Sequence, residues 1–188
     1  MTLKEMKLKV LRMIEEVNDG AENYTDDPDI SAKLNDVINS VMFEVARMKK
    51  IPAVLTEAIT DNLDFDLNAL KDFYQLEYLK FKNTEGKDVE GVTTFGNVVE
   101  FPEEGTAKFY YYKYPERITD DTNDEEYVFE LTDDALEIIP YGVAGDLLKS
   151  DVSNSYGQIY SNKYEAMLQR LDPRYSMGSI TFEGGVNI

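Results

Sequence analysis

The chain has 188 residues and a mass of 21.5 kDa, which suits one domain or a domain with a subdomain, and its 43% hydrophobic content is enough for a core. With 37 Asp and Glu against 19 Lys and Arg, its formal charge is −18, which argues against a protein that grips nucleic acid by its phosphates. The absence of Cys and His excludes disulfides, Ser-His-Asp and Cys-His catalysis, and zinc sites built on those ligands.

The first predicted helix begins at the N-terminus, where Thr2 and Glu5 form a capping-box pattern. Apolar residues then recur at helical spacing from Leu3 to Val17, and Gly20 offers a stop. The same segment, MTLKEMKLKV, has no uninterrupted apolar run of the kind that signal peptides carry, and no stretch of the chain approaches the ~20 apolar residues of a membrane span. We therefore expect a soluble protein, made in the cytoplasm and without membrane partners.

The second predicted helix begins with Asp27 as its N-cap and Pro28 at its first position. Its apolar stripe runs from Ile30 to Met48, and Lys49 and Lys50 follow where a helix C-terminus favours cations.

The periodicity changes between residues 52 and 130, where strands are predicted. Residues 63–67 (LDFDL) alternate strictly, and residues 75–81 (QLEYLKF) are aromatic and apolar. The runs GNVVEF and EEGTAKFYYYKY predict a hairpin around residues 102–105, and NTEGKD at 83–88 supplies the turn chemistry for another hairpin. These strands predict a small antiparallel β subdomain.

The last third of the chain predicts two more helices. The first follows Thr132 as its N-cap and continues through PYGVAGDLLKSD with a kink or break at Pro140. The second opens near residues 153–155 and ends at Asp172 and Pro173. Residues 174–188 hold glycines and scattered apolar residues, which predict a mobile arm.

These elements predict an α+β fold, with a helical bundle of about four helices, an inserted small antiparallel β subdomain and an extended C-terminal arm. Residues 1–52 and 131–173 would be the two halves of the bundle. Residues 53–130 would be the β-rich insertion and residues 174–188 the arm.

A calcium loop is the most tempting metal site. DTNDEE places Asp121, Asn123 and Glu125 at EF-hand positions one, three and five. Position six is Glu126 instead of Gly, however, and position twelve is Thr132 instead of Glu, so an acidic loop leading to a helix cap is the preferred interpretation. No glycine-rich nucleotide motif occurs, and we predict neither metal nor cofactor.

The run KFYYYKY, residues 108–114, interleaves aromatic side chains with lysines. Proteins that stack single-stranded bases use such a pattern, but a strand that is aromatic on both faces also suits a core or a subunit contact. Because the rest of the chain is acidic, we predict core or subunit contact for five residues: Phe109 and Tyr111 on one face, and Tyr110, Tyr112 and Tyr114 on the other.

Three segments carry a resemblance to a known family. They are DDPDISAKLNDVINSVMFEVARMKKIP, GTAKFYYYKYPERI and, above all, LTDDALEIIPYGVAGDLLKSDVSNSYGQIYSNKYEAMLQRLDP. Together they resemble the head-to-tail connector (adaptor) proteins of tailed bacteriophages.

The resemblance implies a structural virion protein without enzymatic activity. Such a protein forms a ring, commonly a dodecamer, beneath the portal protein, and joins it to the next tail or neck protein. DNA only passes through its channel. The resemblance also implies a location at the virion neck, and in the host cytoplasm during assembly.

In this context the C-terminal arm becomes a candidate contact with portal or a neighbouring subunit. Its run SITF could add a strand to an exposed sheet edge, although a frayed terminus without a role is the simpler alternative. The candidate contact residues are Arg174, Tyr175, Met177, Ile180 and Phe182.

Two other functions remain open from sequence. An acidic DNA mimic would inhibit a DNA-binding partner, and would need its acids concentrated on one elongated face. An enzyme with a Ser-Lys dyad or a carboxylate pair is formally possible, but with 37 acidic residues some pair always looks suggestive, and no enzyme is expected.

Overall fold

The computed structural model describes residues 1–18, 20–21, 24–149 and 155–171. These residues divide into two compact units, each with its own hydrophobic core. The helical unit comprises residues 1–51 and 114–171, and the sheet unit comprises residues 52–113.

The helical unit contains four helices of ten residues or more and one single turn of helix among the described residues. They are α1 (Leu3–Met13), α2 (Pro28–Lys49), the short α3 (Asp133–Leu136), α4 (Ile139–Leu148) and α5 (Ser155–Arg170). Helix α4 packs against α1, α2 and α5, and it is apolar around most of its circumference because it is covered from several sides. None of the described helices is long and apolar enough to cross a bilayer.

The N-terminal caps of the first two helices confirm the sequence prediction. In α1, the Glu5 amide donates to Thr2 Oγ1 at 3.2 Å and the Thr2 amide donates to Glu5 Oε2 at 2.9 Å. In α2, Asp27 Oδ1 accepts from the amides of the second and third helical residues, with Pro28 in the first turn. These caps satisfy amides that have no partner inside the helix.

Two helix boundaries differ from prediction. Helix α1 ends at Met13, well before Gly20, because Glu15 adopts a left-handed φ of 62° and the Glu16 amide donates back to the Leu11 carbonyl. The single helix predicted after Thr132 is instead α3 and α4. Pro140 lies in the first turn of α4, where its missing N–H breaks no helical hydrogen bond.

The sheet unit contains two three-stranded antiparallel sheets. The first has the order β1-β6-β3 and the second β2-β5-β4. The strands are β1 (Ile51–Ile59), which starts at the unit boundary, β2 (Asp64–Asp66), β3 (Phe73–Asn83), β4 (Thr93–Phe95), β5 (Val98–Glu100) and β6 (Gly105–Lys113). Phe109 lies at the centre of this core, and Phe65, Phe81 and Phe101 contribute aromatic contacts.

The hairpin predicted around residues 102–105 does not form. Strands β5 and β6, which flank this segment, belong to different sheets, so residues 102–105 carry the chain from one sheet to the other. At residues 83–88 the predicted turn forms, since the Asn83 amide donates to the Lys87 carbonyl at 3.0 Å and Gly86 has a φ of 78°. The predicted hairpin around this turn does not extend into β4, because Lys82 pairs with Asp88 in an isolated bridge and β3 and β4 belong to different sheets.

The predicted fold class, an α+β bundle of about four helices with one small inserted β subdomain and an extended arm, is wrong. The described residues form a mixed α/β structure with two sheets. The sheets enclose a core of their own, and an irregular segment supplies Ile118, Phe129 and Leu131 to the helical core. The predicted arm lies outside the described residues.

Gly105 is required where β6 meets β3. A Cβ at this position would overlap the Lys82 carbonyl oxygen and come within 2.9 Å of Asn83 Cα, both backbone atoms. We expect Gly105→Ala to destabilise the sheet unit by about 1–3 kcal/mol. Hydrogen-exchange mass spectrometry should show faster exchange of the β3 amides, whereas Thr106→Ala, at the exposed next residue, should leave it unchanged. Equal exchange in the two variants would contradict this prediction.

Candidate interaction surface

One face of the β1-β6-β3 sheet is its core face. Phe109 and Tyr111 are 0% and 8% exposed and belong to the core of the sheet unit. Phe109 stacks on Phe65 with ring centroids 4.7 Å apart, and the Tyr111 hydroxyl donates to Asp72 Oδ1 at 3.3 Å. The side chains that alternate with them therefore lie on the opposite face of the sheet.

On that opposite face, an aromatic pair lies beside two lysines. Tyr110 of β6 stacks on Tyr78 of β3 with ring centroids 4.3 Å apart and an angle of 12° between the rings, and Tyr78 is 43% exposed. Lys108 is two residues before Tyr110, and its ammonium is 5.2 Å from the Tyr110 ring centroid. Lys80 lies directly opposite Lys108 in the strand register. We call these four residues the lysine–tyrosine face.

The charges on this face are not balanced by neighbours in the described part of the chain. Neither Lys80 nor Lys108 has a carboxylate within salt-bridge distance there. Like charges directly opposite each other destabilise an antiparallel pair of strands. The hydrogen bond with Lys108, together with the positive charges of Lys108 and Lys80, lowers the pKa of Tyr110. The face is thus suited to an anionic group.

The lowered pKa of Tyr110 has a testable consequence. We expect its phenol to ionise below the ordinary pKa of 10.0, because the neighbouring cations stabilise phenolate. The difference between wild-type and Tyr110→Phe titration curves at the phenolate absorbance should isolate this early step. Lys108→Met should move the step to higher pH. A Tyr110 step at or above the ordinary pKa would contradict the geometry of the face.

The second sheet presents a different feature, an exposed phenylalanine at a hairpin tip. Phe95, the last residue of β4, is 86% exposed. The two-residue loop that follows has Gly96 at a φ of 59°, as a tight hairpin turn requires. Asn97 holds the loop, since its side chain donates to Asn68 Oδ1 at 2.9 Å and its carbonyl accepts from the Leu67 amide at 2.8 Å. Phe95 is therefore presented on an ordered support.

The helical unit has exposed apolar side chains of its own. On α5, Tyr156 and Ile159 are 62% and 53% exposed. Both exposed side chains are large and carry no formal charge, so this surface differs in chemistry from the lysine–tyrosine face.

The other predicted contact residues are distributed differently. Tyr112 is 6% exposed, and the Tyr114 ring lies 5.5 Å from that of Phe43 in the helical unit. The arm residues Arg174, Tyr175, Met177, Ile180 and Phe182 lie outside the described residues. A role of any of these residues in subunit or portal contact stays a prediction.

Sequence reasoning missed Tyr78, Lys80 and Phe95. The first two are in a segment predicted to be a strand, but only the register places them beside Tyr110 and Lys108. For Phe95, the dipeptide Gly96-Asn97 after a short β-prone run is a hairpin signal that could have been used.

The acidic loop at residues 119–126 contains acidic side chains that are paired with lysines of α1. Asp124 is paired with Lys7 and Glu125 with Lys4, so Glu125, one of the three candidate calcium ligands, already has a cationic partner. Nowhere in the described ranges do three or more acidic side chains form a group suited to a metal ion.

No protein-family model matches this chain, and no curated protein sequence matches it either.

Proposed function

We propose that this chain is a structural subunit of a ring, the head-to-tail connector of a tailed bacteriophage, which joins the portal protein to the tail. The observation that carries this proposal is the presence of chemically different exposed surfaces, one on each compact unit. The sheet unit presents the lysine–tyrosine face and Phe95, and the helical unit presents the apolar surface of α5.

Two different surfaces are what ring assembly needs. In a closed ring each subunit contacts its neighbours head to tail, so one patch must bind a second patch of different composition. Aromatic side chains are enriched in the buried centres of protein interfaces. The net charge of −18 also suits the lining of a DNA channel, because it repels the phosphate backbone and opposes tight binding.

The mass of the full chain in solution tests the proposal. Light scattering and negative-stain electron microscopy would be carried out on the chain alone and with the portal protein encoded by the same phage. A closed ring, or stoichiometric joining to portal, is the expected result. A monomer that does not bind the portal protein would overturn the proposal. If that monomer binds a DNA-binding enzyme instead, the result would favour the DNA-mimic function.

Phe95 offers a sharper version of this test. Because its side chain is 86% exposed, Phe95→Ser should leave the thermal unfolding temperature unchanged. We expect it to weaken assembly about tenfold or more, the effect of losing an aromatic anchor. Val17→Ser, at a less exposed apolar residue of the helical unit, is the control. If Phe95→Ser assembles as strongly as the wild type, Phe95 is not part of the interface.

A further inference from the structure

We propose that the lysine–tyrosine face binds an acidic surface of a second copy of this chain, the loop formed by residues 119–126. This inference rests on the proposed ring and names the surfaces that meet in it.

The exposed lysines of the face favour an anionic partner. Lys80 and Lys108 are both exposed and directly opposite each other, and no carboxylate in the described ranges is within salt-bridge distance of either. Their mutual repulsion is relieved when an anion sits between them. The neighbouring Tyr78 and Tyr110 rings stack on each other, and tyrosine side chains supply contact area at low entropic cost.

The net charge of the chain restricts which surfaces of two copies can meet. With a net charge of −18, two copies repel each other at long range. A stable contact between copies therefore needs a local positive patch to meet a negative one. The lysine–tyrosine face is such a patch.

The acidic loop at residues 119–126 is held by hydrogen bonds and ion pairs. The Thr122 amide donates to the Thr119 carbonyl and the Glu126 amide donates to the Asn123 carbonyl. Lys4 and Lys7 tie the loop to α1 through Glu125 and Asp124. The remaining acids, Asp120, Asp121 and Glu126, are exposed. An ordered loop loses little conformational entropy on docking.

A nucleic acid is the less favoured occupant. The stacked tyrosines and lysines could accept bases and phosphates, but the whole-chain charge opposes the approach of a polyanion. An ordered protein loop carries far fewer negative charges than a nucleic acid, so the acidic chain repels it less as its carboxylates approach the lysines.

The test compares two variants of equal net charge. In the full chain, Lys80→Gln/Lys108→Gln neutralises the face, while Lys71→Gln/Lys87→Gln neutralises two exposed lysines elsewhere in the sheet unit. Sedimentation velocity would measure self-association, with portal added if the wild type assembles only there. We expect association of the face variant to be about tenfold weaker or more, and the control variant to match the wild type. Far-UV circular dichroism checks that both variants are folded.

A charge swap identifies the partner surface. Lys80→Glu/Lys108→Glu and Asp120→Lys/Asp121→Lys should each fail to associate alone, because face and loop then carry the same sign. Mixed together, they should associate, because every alternating contact regains opposite charges. Failure of the mixture would exclude the loop as the partner.

The outcomes separate this inference from the proposed ring. If the face variant assembles as the wild type does, the inference is overturned and the ring stands. If the wild type never assembles, alone or with portal, both fail. A labelled single-stranded oligonucleotide tests the other occupant. If Lys80→Gln/Lys108→Gln abolishes oligonucleotide binding but leaves self-association unchanged, the inference is overturned in favour of nucleic acid.

Discussion

Replacing Asp124 by alanine is expected to lower the free energy of unfolding by about 3–5 kcal/mol. The Asp124 carboxylate accepts from Lys7 Nζ at 3.0 and 2.9 Å, and the Lys7 side chain is only 3% exposed. Without Asp124, the Lys7 ammonium stays in a buried position with neither water nor a counter-charge. Urea unfolding followed at 222 nm would measure the loss, because all the described α-helices belong to the helical unit.

A second variant and a control make this prediction specific to the buried charge. Lys7→Met/Asp124→Ala removes both charges, keeps an apolar chain of similar length, and should recover most of the lost stability. Glu125→Ala breaks a neighbouring pair whose side chains are 40% and 70% exposed, and should have no measurable effect because solvent screens such pairs. The prediction fails if Asp124→Ala costs no more than Glu125→Ala, or if the double variant is as unstable as the single one.

Replacing Asn39 by alanine is expected to cost about 2–6 kcal/mol, because two buried backbone groups lose their partners at about 1–3 kcal/mol each. Asn39 Nδ2 donates to the Ile118 carbonyl at 2.8 Å, and Asn39 Oδ1 accepts from the Ile118 amide at 2.9 Å. Asn39 and Ile118 are 3% and 2% exposed, so water cannot replace the amide. The same denaturation experiment measures the loss, and the Ile118 amide should exchange with solvent more rapidly.

Asn162 of α5 is a matched control for Asn39. It lies within a helix, is exposed, and accepts a side-chain hydrogen bond from Gln158 at 2.8 Å. Asn162→Ala should change stability by less than about 0.5 kcal/mol. Similar losses in the two variants would show that the Asn39 amide does not hold Ile118 as the structure indicates.

These two contacts also mark the limit of sequence reasoning. Lys7 and Asp124 are 117 residues apart and Asn39 and Ile118 are 79 apart. No periodicity or local motif signals such a pairing. The expected function has the same limit, since it depends on a resemblance and on surfaces that form only after folding.

The amino-acid sequence by itself determined the features that depend on residues close together along the chain. The caps at Thr2 and Asp27 and the turn after Asn83 were predictable because their hydrogen bonds join residues a few positions apart. The alternation along β6, with Phe109 and Tyr111 on one face and Tyr110 on the other, follows from the pleat of any strand.

Only the tertiary structure decided how the strands pair and which side chains become a surface. Strand β6 pairs with β3 and β1, which are distant in sequence, and not with β5 beside it. An irregularity between Leu76 and Tyr78 sets the register that brings Tyr78 against Tyr110. Strand pairing is selected by burial of the shared core, a property of all the strands together. For that reason the fold class and the lysine–tyrosine face could not be predicted from any one segment.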